Sequence, residues 1–252
     1  MYCRCWQDGL AAPPPCPPDL IGFDEDGRLS LLGSPEPDEE FDAWVHSGCP
    51  HEDMRYTDEQ VSNWAGYRLF QEALGAAGWR HYPTLHAHLP NANGGQLPAG
   101  AAGRALVELD QFADHGQPGE DVVLVDEASG AVLMTYVAAY EGMAMLGPGY
   151  QAGVDPDGFQ VLDPDAHPPA TLFRSRRFRQ RVVTPGRVEF ADEHHTVILT
   201  MPPIGGYRDE PLPRHLRVAT RARTAADFAD IVDPLRELCR AAVATGNPVL
   251  WT

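Results

Sequence analysis

Four of the five cysteines stand in the first 49 residues, as Cys3-Arg4-Cys5, Cys16 and Cys49, and Cys49 runs directly into Pro50 and His51. Thiolate and imidazole are the ligands zinc prefers, and a closed tetrahedral site takes four of them. Cys3, Cys5, Cys16, Cys49 and His51 offer five candidates. The expectation is a structural zinc (Zn) held by Cys3, Cys5, Cys49 and His51, with Cys16 as the substitute ligand. C-x-C and C-x-H are tighter than the usual zinc-knuckle spacing, so the backbone must be extended or turned for both members of a pair to reach one ion. The competing reading is a set of buried or free thiols, because an unligated cysteine behaves as a small hydrophobe. A redox role would want C-x-x-C, which is absent.

A second set of metal-binding types is His86-x-His88. On a strand over 81–89 both imidazoles would share one face. Joined by His81, or by His194 and His195 with Asp192 or Glu193, they would make an open site of the kind a metal-dependent hydrolase uses. The plainer explanation is chance, with ten histidines spread over 252 residues. H-E-x-x-H, G-x-S-x-G and G-x-G-x-x-G are all absent. Every basic residue is arginine, so a phosphate-loop lysine, a kinase lysine and a Schiff-base lysine are excluded.

The third set is Arg174, Arg176, Arg177, Arg179 and Arg181, five of the 19 arginines within eight residues. On one continuous strand Arg174 and Arg176 would share a face with Phe178, and Arg177, Arg179 and Arg181 would share the other. Planar guanidinium groups suit anion or phosphate binding, or a small anionic ligand. They suit equally well internal pairing with the acidic half of the chain, and that pairing is the favoured expectation.

Net charge is −17, and residues 1–169 carry 27 acids against 6 arginines. Such a chain repels nucleic-acid phosphates, so no nucleic acid is expected as partner, and a basic protein is the natural complement. The N-terminus lacks the basic start and apolar run of a secretory signal, and no apolar stretch approaches the ~20 residues of a membrane span. A soluble, cytoplasmic protein with no membrane partner is expected. The lysine-free, Ala/Pro/Gly-rich composition suggests a GC-rich bacterial genome.

The elements that must position these residues are legible in part. Residues 1–23, with five prolines, predict an extended coil that needs pinning from elsewhere. A turn is expected at Asp24-Glu25-Asp26-Gly27, a short strand over 29–32, an acidic loop over 34–42 and a short helix over 41–45. Thr57 with Gln60 reads as a capping box for a helix ending at Gly78. A second helix is expected over 99–113. Then come a hairpin (122–125 with 132–137) and strands over 142–146, 159–162, 172–183, 188–190, 196–201 and 216–220. A closing helix over 225–244 is capped by Thr224, kinked at Pro234, and carries Cys239 on its apolar face.

The fold class expected is α+β: an N-terminal zinc-stapled Cys/His and helical half, then a mainly antiparallel sheet covered by a C-terminal helix. Residues 1–252 are expected to form a single domain, with a subdivision between 1–116 and 117–252. The functional expectation is an acidic protein that binds and neutralises a protein partner, in the manner of an immunity protein against a basic toxin. The alternatives are the His86/His88 hydrolase and the arginine-strand anion-binding module.

Overall fold

The computed structural model describes residues 2–24, 28–33, 38–51, 54–55, 57–206 and 211–251. The class is α+β, with five α-helices and antiparallel sheets. The chain forms two units, residues 1–118 with 224–252, and residues 119–223.

The first unit opens with β1 (Ile21–Phe23) and β2 (Leu29–Leu31), an antiparallel pair with Ile21 opposite Leu31. Residues 25–27 of the expected turn and 34–37 of the expected acidic loop lie outside the described residues. Helix α1 (Glu39–Ser47) starts on Asp38, whose carboxylate accepts from the amides of Glu40 and Phe41, and it buries Phe41, Trp44 and Val45.

The next helix, α2 (Trp64–Ala77), begins later than the Thr57 box predicts. Residues 57–63 run in without helix, and Asn63 is the cap, its side chain accepting from the Gly66 amide at 2.9 Å. Asparagine outranks threonine at this position, and Asp58 is drawn into an ion pair with Arg55. Gly78, with φ of +100°, ends the helix as expected.

The strand expected over 81–89 is instead a short helix, α3 (Pro83–His88). Proline at its first position is preset for helix. The decisive contact is tertiary. The buried carboxylate of Glu108 accepts from the amides of Thr84 (2.9 Å) and Leu85 (2.8 Å), so another helix caps this one. That helix is α4 (Ala99–His115), which follows a two-residue strand, β3 (Gln96–Leu97), and buries Ala101, Ala102, Ala105, Leu109 and Phe112.

The second unit is built of strands, with a 3-10 turn at Ala138–Tyr140. It comprises β4 (Glu120–Asp126), β5 (Val132–Thr135), β6 (Met143–Gly147), β7 (Tyr150–Asp155), β8 (Gly158–Asp163), β9 (Ala170–Ser175), β10 (Arg177–Thr184), β11 (Arg187–Ala191), β12 (Thr196–Thr200) and β13 (His215–Ala222). One antiparallel sheet runs β12-β11-β10-β13-β4-β5, the other β6-β7-β8-β9. Their facing residues make one core, in which Phe159 stacks on Phe178 at 4.9 Å and Phe173 on Phe190 at 5.5 Å.

Strand β7 has no counterpart in the sequence reading. Its Gly153 lacks strand propensity, but a Cβ there would collide with the backbone of Gly142, so only glycine admits the close approach. The expected strand over 172–183 is two strands. It breaks at Arg176, where the Ser175 hydroxyl donates to the Arg177 carbonyl at 2.9 Å, and the halves join different sheets.

The chain then returns to the first unit. Thr224 and Asp227 form a capping box over a 3-10 turn that leads into α5 (Ala229–Thr245), followed by β14 (Val249–Leu250) pairing with β3. Helix α5 packs along α4 and against β14. Phe70, Phe112 and Phe228 meet at the centre of this helical core. No helix among the described residues is long and apolar enough to cross a membrane.

Candidate metal centre

Residues 2–5 run alongside residues 54–55. Tyr2 bridges Arg55 in antiparallel fashion, and the Cys3 amide donates to the Met54 carbonyl at 2.7 Å. After Cys5 the chain turns sharply: the Cys5 carbonyl accepts from the amides of Leu10 (2.8 Å) and Ala11 (3.1 Å). Helix α1 stops at Gly48, which delivers Cys49 and His51 to the same place.

The ligand atoms of Cys3, Cys5, Cys49 and His51 all lie within 4.8 Å of one another. The Cys5 sulfur is 3.4 Å from His51 Nδ1. Ligands ~2.0–2.3 Å from a tetrahedral zinc stand ~3.6–3.8 Å apart, so this set fits around one ion with little contraction. Cys3 and Cys5 are buried, Cys49 is half-buried and His51 is exposed. Around the cluster pack Ile21, Leu29, Phe41, Trp44, Val45 and Met54. Burial, together with the neighbouring Cys5 and Cys49 thiols, pushes the Cys3 thiol up to about 12. Three sulfurs gathered this closely become thiolates together only when a cation balances them.

Cys16 stands outside this group, half-buried at the rim of the same apolar cluster, with burial raising its thiol pKa. Its proline-rich segment is pinned by α1, not by Cys16. The Trp44 indole donates to the Ala12 carbonyl at 2.8 Å, and the Ala12 amide donates to the Gly48 carbonyl at 2.5 Å. The remaining cysteine, Cys239, is a core thiol of α5, raised to about 11 by burial. Asn247 holds the leader from the other end of the chain, its side-chain amide donating to the Tyr2 carbonyl. Nothing in the sequence pattern points to Met54, Trp44 or Asn247 as positioning residues, because each acts through a backbone group remote in the chain.

The histidines expected to form a second site are placed differently. His86 and His88 lie on a helix, where residues two apart point to different sides. His86 stacks on Trp79 at 4.7 Å. His81 Nε2 accepts from the Arg80 guanidinium at 3.0 Å. In the second unit, Asp192 accepts from the amides of His194 (2.8 Å) and His195 (3.0 Å), and His195 Nδ1 lies 3.0 Å from the same carboxylate. Asp192 therefore orders the turn between β11 and β12. Among the described residues, no metal-ligand group contains His81, His86, His88, His194 or His195.

The arginines also divide. Arg174, on β9, pairs with Asp155 and donates to Gln160. Arg177 meets Glu127 at 2.7 Å and Arg181 meets Glu189 at 2.7 Å. Arg176 and Arg179 have no carboxylate partner among the described residues. No protein-family model matches the chain, and neither a curated protein nor a solved structure is similar to it.

Proposed function

We propose that this chain is a zinc-stapled binding protein whose acidic first unit captures a basic protein partner. Zinc held by Cys3, Cys5, Cys49 and His51 fixes the N-terminal leader to α1 and to residues 54–55. The observation that carries the metal assignment is the set of three sulfurs and one imidazole nitrogen within 4.8 Å. Four such ligands leave no open position for substrate, which favours a structural role over a catalytic one. Free thiols of this kind persist in a reducing compartment, so the reading assigns the protein to the cytoplasm.

The partner assignment rests on charge. The first unit carries 22 acids against 8 arginines, the second 14 against 11. A field so one-sided attracts a cationic surface and speeds its association. A basic toxin of the nuclease type, neutralised as an immunity protein neutralises its target, is the kind of partner this charge suits.

Two measurements separate the parts of this reading. Metal analysis should find one zinc per chain, lost on Cys3→Ser with Cys49→Ser; a chain purified without zinc and unable to take it up sinks the metal assignment. Co-expression with the products of neighbouring genes should yield a stable complex that dissociates as salt rises. Failure to bind any basic neighbour sinks the partner assignment and leaves the metal untouched.

A further inference from the structure

The six-stranded sheet of the second unit turns Phe178 and Gln180 of β10, and Leu216 and Val218 of β13, inward. Strand alternation then sends Arg177, Arg179 and Arg181 to the opposite face, with His215 and Arg217 beside them. Arg177 lies directly across from Arg217, and Arg179 from His215. Like charges directly opposite one another on adjacent strands destabilise a sheet. Glu127 answers Arg177 and Glu189 answers Arg181. Arg176, Arg179, Arg214 and Arg217 have no carboxylate partner among the described residues, and all four are exposed.

Two open grooves, about 760 and 550 Å³, lie on this face, and Arg179 and His215 border both. Arg214 lines the first and Arg176 the second. The backbone beneath them is locked. The buried Gln180 amide donates to the carbonyls of Ile204 and Pro213 at 2.7 Å each, and its oxygen accepts from the Ile204 amide at 2.9 Å. The Gln180 amide N–H donates to the Arg214 carbonyl, and the Val218 N–H to the Arg176 carbonyl. These bonds hold the arginines on one rigid patch. Of the acids nearby, Glu189 is engaged by Arg181 and Asp192 by its own turn, while Glu193 stays exposed beside the second groove.

We propose that this face binds a ligand carrying two or three linked phosphate groups, with Arg179 at its centre and Arg176 and Arg214 around it. Guanidinium forks match phosphate oxygens two at a time. A single phosphate cannot answer three guanidinium groups spread over two grooves, whereas a di- or triphosphate presents enough oxygens to do so. A nucleotide and inorganic polyphosphate share this chemistry.

Calorimetric titration of the full chain with tripolyphosphate and, separately, with ATP tests the site. Tripolyphosphate should bind at low salt. Arg179→Ala should weaken it about tenfold, the loss of a charge-assisted hydrogen-bond pair. Arg179→Ala with Arg214→Ala should abolish binding. Arg187→Ala, an exposed arginine of β11 outside both grooves, should change it by less than about twofold. Equal affinity for both ligands identifies the phosphate chain alone as the determinant, and tighter ATP binding identifies a nucleotide. Absence of tripolyphosphate binding at low salt, or an equal loss in Arg187→Ala, overturns the proposal.

Discussion

The two units contrast in what holds them together. The second has strands of four to eight residues, six of the ten paired on both sides, and one continuous core built on four phenylalanines. The first divides its apolar residues between a helical core and a small separate cluster under residues 2–55. That small cluster has two three-residue strands, one isolated bridge and a nine-residue helix to support it. So little secondary structure buries too little surface to be stable alone, which is where a metal or another staple is needed. The charge follows the same division, with one unit strongly acidic and the other close to balanced.

The strongest way to break this comparison is to disrupt the Cys3/Cys5/Cys49/His51 cluster and the metal proposed for it. Chelation, or Cys3→Ser with Cys49→Ser, should cost the first unit about 3 kcal/mol or more, since ligand binding is folding energy in such sites. Calorimetry should show the loss, with residues 2–55 newly open to proteolysis and the β unit protected as before. Cys16→Ser should change stability by less than about 0.5 kcal/mol, because Cys16 stands outside the Cys3/Cys5/Cys49/His51 cluster.

Core truncations come next. Phe112→Ala in the helical core and Phe159→Ala in the β core should each cost about 3–5 kcal/mol. If the units unfold separately, each substitution will move a different calorimetric transition; a common shift would show that they unfold as one.

Glu108→Ala should cost about 2 kcal/mol by leaving the Thr84 and Leu85 amides buried without acceptors. Loss of amide protection confined to α3 in hydrogen exchange would confirm the cause. Asp126→Asn should cost less than Glu108→Ala, at about 1 kcal/mol. The Ser129 hydroxyl bond, aided by the Ala128 and Ser129 amides, holds Asp126 below the usual carboxylate range. A lowered folded value means that its stabilisation is fully present above the unfolded value of about 4 and is lost as pH falls further. The substitution should flatten the acid limb of the stability profile and leave the neutral region parallel to the parent.

Much of the candidate site was legible because ligand chemistry is carried by residue type. Cys3, Cys5, Cys49 and His51 are residue types that zinc prefers, with Cys16 named as the substitute. What pins the leader was not legible. Trp44, Met54 and Asn247 act through backbone groups as many as 245 positions away. The histidine pair misled because residues 81–89 alternate like a strand, while Glu108 caps them into a helix from across the core.

By itself the sequence determined the α+β class, most helices and strands, the charge asymmetry and the residue types of the Cys/His cluster, since periodicity, capping residues and donor types are local properties. Only the tertiary structure decided where α2 begins, that Arg174 and Arg177 lie in different sheets, and which arginines lack a carboxylate partner among the described residues. Each of those depends on a partner remote in the chain, and a local pattern contains no record of what the other end of a hydrogen bond or ion pair will be.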